Sequence, residues 1–143
     1  MVNMKSRYTQ ALEKQKKGYN CAQAVACTYC DLVGMDETAL FKITEGFGTG
    51  MGCMMGTCGA ISGAAVLAGL VRSSGNIDAP DSKVETCKLS KEIITSFNSK
   101  NGSTICRELK GVDTGEILRS CPGCVEDACK IVEQVLFAET FTE

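Results

Sequence analysis

Ten of the 143 residues are cysteine and none is histidine. Four of the ten, Cys21, Cys58, Cys106 and Cys121, fall where a helix is expected to start. Cys21 follows Asn20, a good N-cap, and Cys58 follows a glycine-rich run. Cys106 lies in the first turn after Ser103, and Cys121 precedes Pro122, a residue that the first helical turn tolerates. Unpaired N–H groups and the positive end of the dipole favour an anion at such places. A free thiol with a pKa near 8.5 is only about 3% ionised at pH 7. At a helix N-terminus the pKa can fall to roughly 3.5–7.5. Thiolate is the nucleophile of disulfide exchange and also the form that binds metal, so the placement serves either chemistry.

Cys121-Pro122-Gly123-Cys124 adds a Cys-x-x-Cys at one of these termini. In that arrangement the first thiol attacks and the second reaches back to resolve. The strand–helix–strand surroundings of a thioredoxin-like fold are missing. Cys27 and Cys30 share the spacing but lie inside a helix, where packing is the plainer reading. The glycines at 46, 48, 50 and 52 do not have dinucleotide-binding spacing and follow a helix rather than a strand. They are expected to bring backbone close to Cys58 and to leave N–H groups facing its sulfur or an anion. Met51, Met54 and Met55 read as core filling before soft ligands. The absence of histidine removes Ser–His–Asp triads, Cys–His dyads, HExxH zinc sites and the Cys-x-x-Cys-His of covalent haem attachment.

The elements that must hold these thiols are helices, since apolar residues recur at helical spacing almost throughout. Helices are expected over 4–17, 21–33 (stopped by Gly34), 37–44 (capped by Asp36), 58–72, 82–97, 104–110 and from Cys121 through Leu136. Segment 46–56 is a loop, and 111–119 is irregular. The helix after the glycine-rich loop is apolar all round, which marks it as the buried central one. In the helix over 82–97, Val84, Cys87, Ile94 and Phe97 are expected on one side. With the helices over 37–44 and 104–110 being short, the chain reads as an all-α, single-domain bundle of five to six helices over residues 1–143.

Lys plus Arg number 15 and Asp plus Glu 17, a formal charge of −2. No dense basic run draws the chain to nucleic acid or anionic lipid. The least charged stretch, residues 46–71, is too rich in glycine for a membrane span. The polar N-terminal residues offer no hydrophobic signal region, so a cytoplasmic location is expected. There, clustered cysteines are more often metal ligands or redox groups than permanent disulfides.

Several stretches resemble one family: Gly18-Tyr19-Asn20-Cys21-Ala22-Gln23-Ala24-Val25, Gly46-Phe47-Gly48-Thr49-Gly50-Met51-Gly52, Gly56-Thr57-Cys58-Gly59-Ala60-Ile61-Ser62-Gly63, Cys106-Arg107-Glu108-Leu109, and Cys121-Pro122 followed by Val125. This family is named for the pattern C_GCAxxG_C_C, and its proteins are described as redox-active. Its four marked cysteines match Cys21, Cys58, Cys106 and Cys121. The resemblance implies a small cytoplasmic redox protein of prokaryotes, particularly anaerobes, with a poorly defined substrate and redox partner. A similar domain accompanies haem and an iron–sulfur centre in split-Soret cytochromes, but this chain lacks the histidine that haem c attachment needs. Cys53 and Cys124 depart from the pattern, as do Cys27, Cys30, Cys87 and Cys129.

Three readings stay open at this point. The first is thiol–disulfide exchange or electron transfer by the clustered thiolates, with Cys21, Cys58, Cys106, Cys121 and Cys124 as the reactive set. The second makes Cys21, Cys58, Cys106 and Cys121 ligands of zinc or an iron–sulfur cluster. The third is a helical interaction module in which the cysteines are small buried hydrophobes. A homodimer would complete the core of a bundle this poor in aromatic residues.

Overall fold

A computed structural model describes residues 4–141. Six helices of eight residues or more form the body: α1 (Tyr8–Lys17), α2 (Cys21–Thr28), α3 (Glu37–Glu45), α5 (Gly59–Arg72), α6 (Lys83–Asn101) and α8 (Cys121–Val135). Two single turns, α4 (Gly48–Met51) and α7 (Cys106–Leu109), lie between them. There is no strand among the described residues; one isolated antiparallel bridge joins Thr57 to Ile105.

The segment after α2 tightens into a 3₁₀ turn over Cys30–Val33 before Gly34 closes it in the left-handed region. The reading of one helix from 21 to 33 was therefore too simple. Arg7 supplies a reason: its guanidinium donates to the Thr28 carbonyl at 3.0 Å and clasps the Asp31 carboxylate. The last α-helical carbonyls are thus taken by a side chain, which permits the tighter winding.

Helix α5 packs against α2, α6 and α8 at the centre of the molecule. Its small residues decide how closely α2 can approach. A Cβ on Gly63 would lie 2.5 Å from the Ala22 carbonyl oxygen, and one on Gly59 would lie 3.1 Å from the Phe47 oxygen and 3.4 Å from Cys21 Cβ. Gly59 and Gly63, four apart, face α2 together. The first three turns of α5 are buried, whereas Val71 and Arg72 emerge into solvent.

Helix α6 differs from the sequence reading. It runs on to Asn101, and Ile93 and Phe97 are its buried residues, while Val84 and Cys87 are exposed. Leu89, two residues beyond Cys87, already packs against the core. Helix α7 also begins later than its pattern suggests. Ser103 accepts from Ile105 N–H and donates to Glu108, which holds the chain extended up to Ile105.

Buried carboxylates tie the C-terminal helix in place. Asp127 has no exposed side-chain surface and receives Arg119, Asn101 and Lys100. Glu133 accepts from Tyr29 Oη at 2.6 Å and from Arg7 N–H at 2.8 Å. The first cluster fixes Arg119, two residues before Cys121. None of the helices among the described residues is long and apolar enough to cross a membrane.

Candidate functional site

The four cysteines marked at the helix starts line one cavity of about 460 Å³. Local structure explains how each arrives there. Asn20 forms a complete capping box with Gln23, which sets Cys21 as the first residue of α2. Cys58 is the N-cap of α5. Ser120 accepts from Gly123 N–H at 3.1 Å, which sets Cys121 as the first residue of α8 with Pro122 behind it. The Thr57–Ile105 bridge brings the third thiol alongside the second. Cys58 N–H donates to the Thr104 carbonyl at 2.8 Å, and Cys106 N–H donates to the Gly56 carbonyl at 3.0 Å.

The glycine-rich loop closes the same cavity and comes closest to Cys106. A Cβ on Gly50 would lie 2.5 Å from Cys106 Cβ, so only glycine fits, and its φ of +55° is also left-handed. Several of the loop's N–H groups are spent internally: Gly52 on Gly48, Met54 on Thr49 and Gly56 on Gly50. Thr49, Met51 and Met54 take positive φ without being glycine, which places strain beside the cavity. The methionines do not fill the core either. Met51 and Met55 are 59% and 73% exposed, and Met54 lines the cavity wall.

Lys110 is the residue that sequence reasoning missed. It is the one cation among the cavity's lining residues, and its Nζ donates to Cys121 Sγ. Burial alone would depress the Lys110 pKa, but the hydrogen bond and the charge of Cys121 outweigh burial and raise it. A signal existed, since Lys110 follows Cys106 by four residues and so sits one helical turn further along.

The thiols shift one another. The Cys21 thiol beside Cys121 lowers its pKa to about 5. Burial opposes that drop, and Lys110 reinforces it through its hydrogen bond and its charge. The ionised form of Cys121 is thereby favoured. Cys121, together with burial and the nearby Cys58, pushes Cys21 up.

A second pair of thiols repeats the pattern. The Cys124 thiol beside Cys58 lowers its pKa to about 7 against the cost of burial, helped by the Ala60 and Ile61 N–H groups and by Lys110. Cys124 itself rises, through Cys58 and through burial. Cys124 Sγ donates to the Arg119 carbonyl at 3.9 Å.

Cys106 stands apart. Burial raises its pKa in spite of Lys110, and the single turn of α7 has little dipole to oppose that. Ionisation is thus favoured at two of the four helix starts, those of the fourteen- and fifteen-residue helices.

Cys121 and Cys124 lie one helical turn apart on α8. The thiol that shifts Cys121 most is Cys21, and the one that shifts Cys124 most is Cys58. The other cysteines lie outside the cavity lining. Cys27 and Cys129 are buried, with pKa values raised by desolvation to about 11 and about 12. Cys30 is half-buried, and Cys53 and Cys87 are exposed. Among the described residues, no three Cys, Asp or Glu side chains are grouped to hold one metal ion.

The geometry can be set beside known proteins. No curated protein and no solved structure matches the chain. A family model described as "Putative redox-active protein (C_GCAxxG_C_C)" matches residues 19–135. That span takes in all four cavity cysteines and Lys110, and on it the chain belongs to the C_GCAxxG_C_C family.

Proposed function

We propose that this protein carries out thiol–disulfide exchange on small disulfides, with Cys121 as the attacking thiolate and Cys21 as the resolving thiol. The observation that carries the reading is the Cys121 sulfur, which accepts from the Lys110 ammonium and shares one half-enclosed cavity with the Cys21 thiol. A cavity of this size suits a small molecule better than a folded partner.

The steps balance as follows. The Cys121 thiolate attacks one sulfur of a disulfide R–S–S–R, forming a mixed disulfide and expelling RS⁻. Cys21 gives up its proton to the departing thiolate and attacks Cys121 Sγ. The Cys21–Cys121 bond forms, the mixed disulfide breaks and the second RS⁻ leaves. Two electrons pass to the substrate, which leaves as RSH and RS⁻. Stabilising the Cys121 thiolate favours the reduced pair, so the Cys21–Cys121 disulfide is a ready electron acceptor in the reverse direction.

The test is a count of free thiols under anaerobic conditions before and after addition of bis(2-hydroxyethyl) disulfide, followed by peptide mapping. A reversible Cys21–Cys121 disulfide supports the reading. Retention of both thiols overturns it.

A further inference from the structure

Two thiol pairs lie at and behind the cavity wall, at different depths. Cys21 and Cys121 are half-buried and line the opening. Cys58 is 3% exposed and Cys124 is wholly buried, and both belong to the contiguous apolar core. Helix α8 contributes one sulfur to each pair, on successive turns, and α5 packs against both α2 and α8. Gly59, the residue after Cys58, lies against Cys21, which keeps the outer and inner sulfurs close.

We infer that Cys58 and Cys124 form a second, internal dithiol that reduces the outer Cys21–Cys121 disulfide, so that each chain delivers four electrons to disulfide substrates before it needs reduction. This inference rests on the outer pair working as proposed above. The transfer needs no further reactant. The Cys58 thiolate attacks Cys21 Sγ; a Cys58–Cys21 bond forms, the Cys21–Cys121 bond breaks and the electron pair leaves on Cys121, where Lys110 stabilises it. Cys124 then attacks Cys58 Sγ. The Cys58–Cys124 bond forms, the Cys58–Cys21 bond breaks, and Cys21 departs with the proton that Cys124 gives up. The outer pair returns to one thiol and one thiolate, its starting condition, and the inner pair is oxidised by two electrons.

Two features favour this exchange. The start of α5 and the neighbouring Cys124 thiol favour the thiolate form of Cys58, which sits in the core beside α8. Cys124, which has no exposure, has no route to an external disulfide, and exchange through its neighbours is the chemistry left to it. Cys106 lines the same cavity, but no neighbouring thiol favours its ionisation, and it takes no part in the relay.

The experiment is anaerobic titration of the full chain with excess bis(2-hydroxyethyl) disulfide, with each disulfide located by peptide mapping so that mixed disulfides at exposed Cys53 and Cys87 are counted apart. Wild type is expected to form both Cys21–Cys121 and Cys58–Cys124, a loss of four thiols. Cys124→Ala is expected to form the outer disulfide alone, a loss of two. Cys121→Ala is expected to slow formation of Cys58–Cys124 by at least tenfold. Wild type that forms only Cys21–Cys121 overturns the relay and leaves the outer exchange standing. A second bond joining Cys58 to Cys106, or Cys58–Cys124 forming at the wild-type rate in Cys121→Ala, also overturns it. If no disulfide forms at all, the outer reading has failed first.

Discussion

Lys110 Nζ donates to Cys121 Sγ across eleven residues of chain, joining the end of the single turn α7 to the start of the long helix α8. The irregular segment between them exists to close that distance. Leu118 N–H returns to the Leu109 carbonyl at 2.9 Å, and Gly111 adopts a φ of +67° against the Glu116 backbone, where no side chain fits. The pair gives the cavity a fixed cation and a thiolate to match it.

Removing that cation has a defined effect. Lys110→Met keeps most of the side chain's length and loses the charge. The pH midpoint for alkylation of Cys121, expected near 5 in wild type, should rise by roughly one unit or more. Each unit also makes the Cys21–Cys121 disulfide harder to reduce, by roughly 30 mV. Alkylation rates across pH 4–9, resolved at Cys121 by mass spectrometry, check the first shift, and equilibration with a redox buffer checks the second. An unchanged midpoint would show that Lys110 is a bystander.

Cys21→Ala separates the two duties of Cys21. The neighbouring Cys21 thiol is the largest influence lowering the Cys121 pKa, so its loss should raise the alkylation midpoint. The variant should also accumulate a stable mixed disulfide between Cys121 and the substrate, because no resolving thiol follows. Intact-mass measurement after brief exposure to bis(2-hydroxyethyl) disulfide shows the adduct. A clean return to free thiol in the variant would assign resolution to another cysteine.

Gly63→Ala tests the packing that sets the cavity's shape. A methyl 2.5 Å from the Ala22 carbonyl oxygen cannot be accommodated without parting α2 from α5. Overpacking of this kind costs about 1–3 kcal/mol. Denaturant melts give the loss, and the reduced variant should also show a higher Cys58 pKa as the N-terminus of α5 shifts. Ser62→Ala, at a half-buried position on the same helix, serves as the control and should remain close to wild type in stability.

Asp127 gives the fold a pH dependence at low pH. Burial opposes its ionisation, but Arg119, Lys100 and Asn101 more than compensate, so its folded pKa lies below the ordinary carboxylate value. A carboxylate depressed by folding contributes stability above its unfolded pKa of about 3.9 and loses it as pH falls through the folded value. Asp127→Asn should cost about 1–3 kcal/mol at pH 7 and much less near pH 2. Urea titrations at both pH values test this, and an equal cost at the two would contradict it.

Much of this arrangement is legible in the chain because helix starts have strong local signals. Asn20 with Gln23, Asp36, and Ser120 with Pro122 mark their helices by side-chain chemistry alone, and they place Cys21 and Cys121 at first positions. What local pattern cannot supply is the consequence of tertiary contact. Val84 and Cys87 share a side with Phe97, yet they are exposed where Phe97 is buried. The same limit applies to the thiols. All four sit at helix starts, but neighbouring thiols, Lys110 and burial decide which ionise, and these depend on residues far along the chain. The thiol that shifts Cys124 most is Cys58, the N-cap of α5, which spacing within α8 does not reveal.

The central claim is that Cys121 is the ionised, attacking sulfur of a reversible pair with Cys21. The most direct measurement is time-resolved differential alkylation of the reduced protein at pH 6, where an ordinary thiol is almost wholly protonated, followed by mapping after oxidation with bis(2-hydroxyethyl) disulfide. Cys121 is expected to be labelled first among the cavity cysteines, and oxidation is expected to join it to Cys21. Labelling of Cys21 or Cys106 ahead of Cys121, or oxidation joining Cys121 to Cys124, would contradict it.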